Sequence, residues 1–282
     1  MKTYIVDVFA ESQLAGNQLA VVMDAAELSG ETMQRIAREI NFSETTFVTA
    51  WHDNKASVRI FTPTNELPFA GHPTVGTAWV LATLESNRPL SNIILSLGVG
   101  DVPVQLDNES GIVWLESPQA AFSDGISREF ASGLLSLDTT DLLDDNFPIR
   151  SANLGPSFQL IAVKDLDALG KCRVDQNEFT RFEAQNHGVQ GLFVFTPNGH
   201  SDNSHYAARM FFEADGIRED PATGSANCCF AAYLKLLKTG DQQAIVDQGV
   251  EMGRPSVIYL DLSDQIRVGG KVQHVFSGEL HL

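Results

Sequence analysis

The chain has 282 residues, 43% of them hydrophobic and 20% charged, the composition of an ordered globular protein of one large or two ordinary domains. Its 19 Lys and Arg against 36 Asp and Glu leave a formal charge of −17, which repels nucleic acid and anionic lipid surfaces. Its three cysteines, two of them adjacent, fit neither a disulfide framework nor a zinc-ligand spacing.

The amino terminus, Met1 to Asp7, lacks the basic and apolar regions of a secretory leader, and no later run reaches membrane-spanning length; cytoplasmic residence is the expectation. A first apolar run, Leu19 to Val22, follows Gly16-Asn17. Residues Glu31 to Glu39 then place Met33, Ile36, Ala37 and Ile40 at helical spacing, which predicts an amphipathic helix covering a sheet. Next comes Asn41-Phe42-Ser43-Glu44-Thr45, a carboxyl at the entry to an apolar strand. Such a carboxyl is expected to titrate above the usual range, which suits a group that takes and returns a proton; capping or pairing at a strand edge is the structural alternative.

The chain then repeats itself. His72-Pro73-Thr74-Val75-Gly76-Thr77-Ala78 matches Asp220-Pro221-Ala222-Thr223-Gly224-Ser225-Ala226, each after an Arg-led apolar segment, Arg59-Ile60-Phe61 or Arg209-Met210-Phe211. Weaker likenesses upstream and downstream extend the repeat over most of the chain. Residues Val75 to Leu84 and Ala226 to Leu237 are apolar nearly all round, so each half is expected to wrap a curved sheet around one central helix. The junction is expected between about 116 and 150, near the acidic stretch Asp138 to Pro148. The N-terminal half is set at 1–116 and the C-terminal half at 117–282, with a last strand near 272–282 returning to the first half.

Both helices start from Gly/Pro-rich loops, Leu67 to Pro73 and Gly216 to Pro221, and paired helix starts facing one crevice would hold a carboxylate or a developing enolate. On this reading Asp220 is either an N-cap before a first-turn proline or a functional acid, and His72, a poor cap in the matching place, is favoured as functional over a buried structural histidine. Thr77 and Ser225 are placed in the first turns of their helices. Cys228 and Cys229 read as small core residues. Glu44 has no acidic counterpart, since Gly191 stands opposite it in Val189 to Phe195.

The segments Asn41 to Thr45, Arg59 to Gly76 (RIFTPTNELPFAGHPTVG), Glu219 to Ala226 (EDPATGSA) and Gln248 to Ser256 (QGVEMGRPS) together resemble the phenazine-biosynthesis PhzF-like family. The resemblance implies a diaminopimelate-epimerase-like α/β (α+β) fold of two pseudo-symmetric halves, a homodimer, and an active site between the halves. It implies isomerisation without a cofactor, as in the family member acting on a dihydro-hydroxyanthranilate. Glu44 matches the proton-carrying glutamate, His72 and Asp220 its polar partners, and Gly71, Gly224 and Ser225 the groups around a substrate carboxylate. Racemases of the wider superfamily use a thiol from each half, and neither loop here holds one. The expectation is therefore a cofactor-independent isomerase of a small carboxylated substrate, binding no metal. An amino-acid-type epimerase or racemase using Glu44 with Asp220 or His72, and a binding protein that has lost the chemistry, are the alternatives.

Overall fold

The structure, a computed structural model, describes residues 1–143, 146–185, 189, 191–213 and 217–282. Positions 144, 145, 190 and 216 of the segments singled out above lie outside that set. The chain forms two compact units, Met1–Glu116 with Gly269–Leu282, and Ser117–Val268.

In the first unit β1 (Lys2–Val8) pairs antiparallel with β2 (Asn17–Val22), and β2 runs parallel to β3 (Glu44–His52). The crossover between these parallel strands is α1 (Gly30–Ile40). Its sequence sets both ends: the Ser29 hydroxyl accepts from the Thr32 N–H at 3.1 Å, and Asn41 closes the helix with φ of 58°. The predicted stripe of Met33, Ile36 and Ala37 is buried against Val22, Phe47 and Phe61. Antiparallel to β3 lies β4 (Lys55–Phe61), which pairs with the short β5 (Glu66–Leu67).

After β5 comes α2 (Gly71–Val80), ending in a π-helical turn, Leu81–Glu85. Then β6 (Asn92–Leu97) runs parallel to β4, followed by β7 (Gly100–Leu106) and β8 (Val113–Glu116) as a meander. The last strand of the chain, Val272–Glu279, pairs with β1. All but one of the residues of α2 are buried, and it touches β1, β2, β3, β6, β7 and β8. A Cβ on Gly76 would stand 2.6 Å from Leu19 and 2.7 Å from Val8, so this glycine is what lets the helix approach the sheet.

The second unit repeats this plan. Its strands are β9 (Ala121–Asp124), β10 (Arg150–Asn153), β11 (Ser157–Ala162), β12 (Gly191–Thr196), β13 (Tyr206–Glu213), β14 (Ile217–Asp220), β15 (Gln243–Gln248) and β16 (Ser256–Asp261). Strands β10 to β16 reproduce the pairings of β1 to β7, with parallel contacts at β11 with β12 and at β13 with β15. Ahead of β10 lies α3 (Arg128–Leu134), and α4 (Leu166–Lys171) and α5 (Gln176–Gln185) take the place of α1. The enclosed helix is α6 (Gly224–Leu237), against β10, β11 and β16. Its Phe230 and Tyr233 pack with Phe193, Phe195 and Tyr206 in an aromatic cluster.

The helix starts differ from the sequence expectation. α2 begins at Gly71, inside the loop Leu67 to Pro73 from which it was expected to start, with His72 helical rather than in the cap place; Pro73 falls at its third position, where a missing N–H removes no hydrogen bond. Thr77 is consequently in the middle of α2 rather than in its first turn, and its hydroxyl meets that of Thr46 on β3 at 2.8 Å. Likewise Asp220 is not the N-cap of α6. It ends β14, and Thr223 is the cap residue.

The repeat therefore aligns differently from its motifs. Ladder registers match Arg59 with Arg209 and Glu66 with Glu219, so Leu67-Pro68-Phe69-Ala70-Gly71-His72 corresponds to Asp220-Pro221-Ala222-Thr223-Gly224-Ser225. Ser225, not Asp220, is the counterpart of His72. The pairing of Glu44 with Gly191 stands: each opens its strand, opposite Leu19 in one unit and Phe158 in the other.

Candidate functional site

The predicted residues fall into two sets, one in each unit. In the first, Glu44 opens β3 and His72 is the second residue of α2. The His72 Nε2 lies 3.6 Å from Glu44 Oε2, just beyond hydrogen-bond length, with the side chains 4% and 16% exposed. On the other edge of the ring, His72 Nδ1 lies 3.3 Å from the side-chain amide of Asn17, itself 2% exposed. Asn17 was not singled out from the sequence. Its signal was the Gly16-Asn17 pair: Gly16, at φ of 67°, turns the chain where a Cβ would lie 2.4 Å from a carbonyl.

Burial drives the His72 ring down to about 3, with the Gln18 backbone opposing this weakly. The contact with Glu44 is therefore one between a neutral imidazole and a carboxyl at ordinary pH. A neutral ring offers Glu44 either an N–H or a lone pair, according to tautomer.

The depressed value links stability to pH. Below about 6.5 the unfolded chain binds a proton on this histidine that the folded chain refuses down to about 3, so acid favours unfolding. The His72→Gln variant should lose about 2 kcal/mol less stability than the parent between pH 7 and pH 5. Denaturant unfolding at both pH values checks this, and equal losses would show that the ring titrates normally.

The N-cap of α2, Ala70, has no side-chain acceptor, so the first-turn N–H groups of Gly71 and His72 are not taken by the cap. The same holds in the second unit for a different reason. Thr223 is a capping type, but its hydroxyl donates to Asp220 Oδ2 instead, leaving α6 without a side-chain cap above Gly224 and Ser225. Asp220 is 8% exposed.

Two more residues that the sequence reading did not single out hold this loop. Gln248, at the end of β15, donates to the Asp220 carbonyl at 2.9 Å and to the Thr223 hydroxyl at 3.1 Å. It accepts from the Thr223 N–H at 3.3 Å and from Asn227 at 2.9 Å, and Asn227 also donates to the Thr223 carbonyl at 3.0 Å. Gln248 opens the QGVEMGRPS segment, the available sequence signal for it.

Cys172, Cys228 and Cys229 are buried and their thiols are pushed upward by desolvation, the first two to about 12, which keeps them protonated. Among the described residues no group of three His, Cys, Asp or Glu side chains is arranged to hold a metal ion. No described helix is long and apolar enough to cross a membrane.

Comparison with known proteins fits these sets into a family. The family model described as phenazine biosynthesis-like protein matches residues 6–278. A trans-2,3-dihydro-3-hydroxyanthranilate isomerase of Pseudomonas aeruginosa is 37% identical, the match covering 90% of this chain and 88% of that one. An uncharacterized isomerase of Mesorhizobium japonicum is 34% identical over 98% and 97% of the two chains. Among solved structures, a PhzF-family phenazine biosynthesis protein of Bacillus anthracis superposes with a TM-score of 0.89 at 25% identity, covering 100% and 99%. A probable proline racemase of Agrobacterium radiobacter shares the fold alone, at a TM-score of 0.61 and 9% identity over 100% and 93%. With its fold, its four signature segments and a match from end to end, the chain belongs to the phenazine biosynthesis-like (PhzF) family and is an isomerase.

Proposed function

We propose that the protein isomerises a small carboxylated, unsaturated substrate by moving one proton between two of its carbons, without a cofactor, and that Glu44 carries the proton. The contrast between Glu44 and Gly191 supports this most directly. Each opens the equivalent strand of its unit, yet a Cβ on Gly191 would lie 2.8 Å from the Phe211 carbonyl, so that position has no space for a second acid. A racemase that works from both faces of a carbon needs two such groups, whereas one carboxyl suffices for removal and return on a single face.

In the proposed reaction the Glu44 carboxylate takes a proton from a carbon conjugated with the substrate carboxylate, and the C–H electron pair delocalises into a dienolate. Glu44, now protonated, returns the proton to a second carbon of the conjugated system. His72, neutral in both steps, orients the Glu44 carboxyl through the Nε2 edge of its ring and neither gains nor loses a proton. The N–H groups of Gly71 and Gly224, with the Ser225 hydroxyl, bind the carboxylate, and Asp220 binds a polar group of the substrate.

The compound named for the Pseudomonas relatives, trans-2,3-dihydro-3-hydroxyanthranilate, is the first probe. Incubated with enzyme in deuterated water, it should be consumed, and any deuterium gained, through exchange of the Glu44 proton with solvent, should sit at the carbon that receives the proton. If instead a panel of cyclic unsaturated carboxylates including this probe is untouched while amino acids gain deuterium at the α-carbon, the isomerisation reading fails and the epimerase reading replaces it.

A further inference from the structure

We infer that Gln248, braced by Asn227, is a positioning residue that sets Asp220 for catalysis. The inference rests on the reading of Asp220 as a substrate-contacting residue given above. Gln248 and Asn227 are both fully buried, and all the hydrogen-bonding capacity of the Gln248 amide is spent on three residues. The bonds form a relay. The Gln248 amide donates to the Thr223 hydroxyl, and that hydroxyl passes its own hydrogen to the Asp220 carboxylate, fixing which oxygen is engaged. A second Gln248 hydrogen holds the Asp220 carbonyl, so both the backbone and the side chain of Asp220 are set by one amide.

The first unit provides an internal control. The same strand, loop and helix start are built there with Leu67 for Asp220, Ala70 for Thr223, Thr74 for Asn227 and Leu97 for Gln248, by the shared registers. The turn therefore folds without any buried amide. Placing two in the second unit costs desolvation that a leucine avoids, and Asn227 Oδ1 remains buried without a hydrogen bond. The second loop carries an acid, Asp220, where the first has Leu67; Gln248 holds it directly and through Thr223, and Asn227 braces Gln248.

The test is a mutant cycle read as kcat and KM with trans-2,3-dihydro-3-hydroxyanthranilate, alongside backbone amide exchange without any ligand. Gln248→Leu, which copies the first unit, should lower kcat by on the order of 10²-fold with KM within about threefold. Combined with Asp220→Asn it should cost no more than Asp220→Asn alone, because the effect passes through Asp220. Amide exchange at Thr223 should accelerate at least about tenfold while that of the first unit is unchanged. Should Gln248→Leu fail to fold, Asn227→Thr, also copied from the first unit, reports the same relay with a smaller loss. Wild-type kcat in a folded Gln248→Leu, multiplied penalties in the double variant, or unchanged Thr223 exchange would each overturn the inference. Wild-type kcat in Asp220→Asn would instead remove the role proposed for Asp220, a failure distinct from that of Gln248.

Discussion

Glu44→Gln is expected to lower kcat by about 10³-fold while leaving KM within a few fold of the parent value. The substitution keeps the size of the side chain and changes only whether it can take a proton. The strand itself is held independently of that carboxyl, by the parallel ladder from Leu19 and Glu44 to Val22 and Phe47 and by the antiparallel ladder to β4. Melting temperature should therefore stay within a few degrees, so that lost turnover is not lost folding. Initial rates with the dihydro-hydroxyanthranilate probe, together with a thermal melt, decide the matter. A residual kcat within tenfold of the parent would leave the proton to another group. His72 is a weak candidate for that role, because burial holds the ring at about 3 and so leaves it a poor proton acceptor.

Much of the fold was legible because its signals are local. The stripe of Met33, Ile36 and Ala37 and the caps Ser29 and Asn41 define α1 without any tertiary information. The apolar runs of α2 and α6 announce enclosed helices for the same reason. Glu44 and Gly191 could be equated because each stands at the head of a β-rich run. The motif repeat, by contrast, misled at the helix starts. It laid Pro73 on Pro221, whereas the ladders lay Pro68 on Pro221, and that error made His72 the partner of Asp220 and placed Thr77 one turn too early. A proline is equally compatible with the loop before a helix and with its first turn, so composition alone does not decide between them. Of Gln248, Asn227 and Asn17, the sequence showed at most the segments around them, QGVEMGRPS and Gly16-Asn17, and not their contacts. Apart from the Asn227 bond to the Thr223 carbonyl four residues back, their partners stand between 21 and 55 residues away in sequence, at separations set by sheet registers that no local pattern encodes.

Arg209→Met is expected to destabilise the second unit by about 3 to 5 kcal/mol, while Arg59→Met at the equivalent place in the first costs under about 1 kcal/mol. Both arginines form a two-bonded pair with the glutamate of the next strand, Glu219 or Glu66. Their surroundings differ. The side chains of the Arg59 pair are 36% and 43% exposed, so water replaces what the substitution removes. Those of the Arg209 pair are 7% and 14% exposed, and its remaining nitrogen also ties the carbonyls of Leu169 and Cys172 at the end of α4. Methionine fills the space but strands the Glu219 carboxylate and leaves the Leu169 and Cys172 carbonyls only their second donors, the Cys172 N–H and the Arg173 guanidinium. The double variant Arg209→Met, Glu219→Leu should recover much of the loss, since it removes the stranded charge as well. Chemical denaturation of the three variants measures these differences, and equal effects at Arg59 and Arg209 would refute the dependence on burial. Glu219 immediately precedes Asp220 on β14, so the pair anchors the residue before Asp220 while the Gln248 relay holds Asp220 itself. A folded Arg209→Met should then lose turnover in addition to stability, whereas Arg59→Met, whose strand leads to Leu67 instead of an acid, should keep the turnover of the parent.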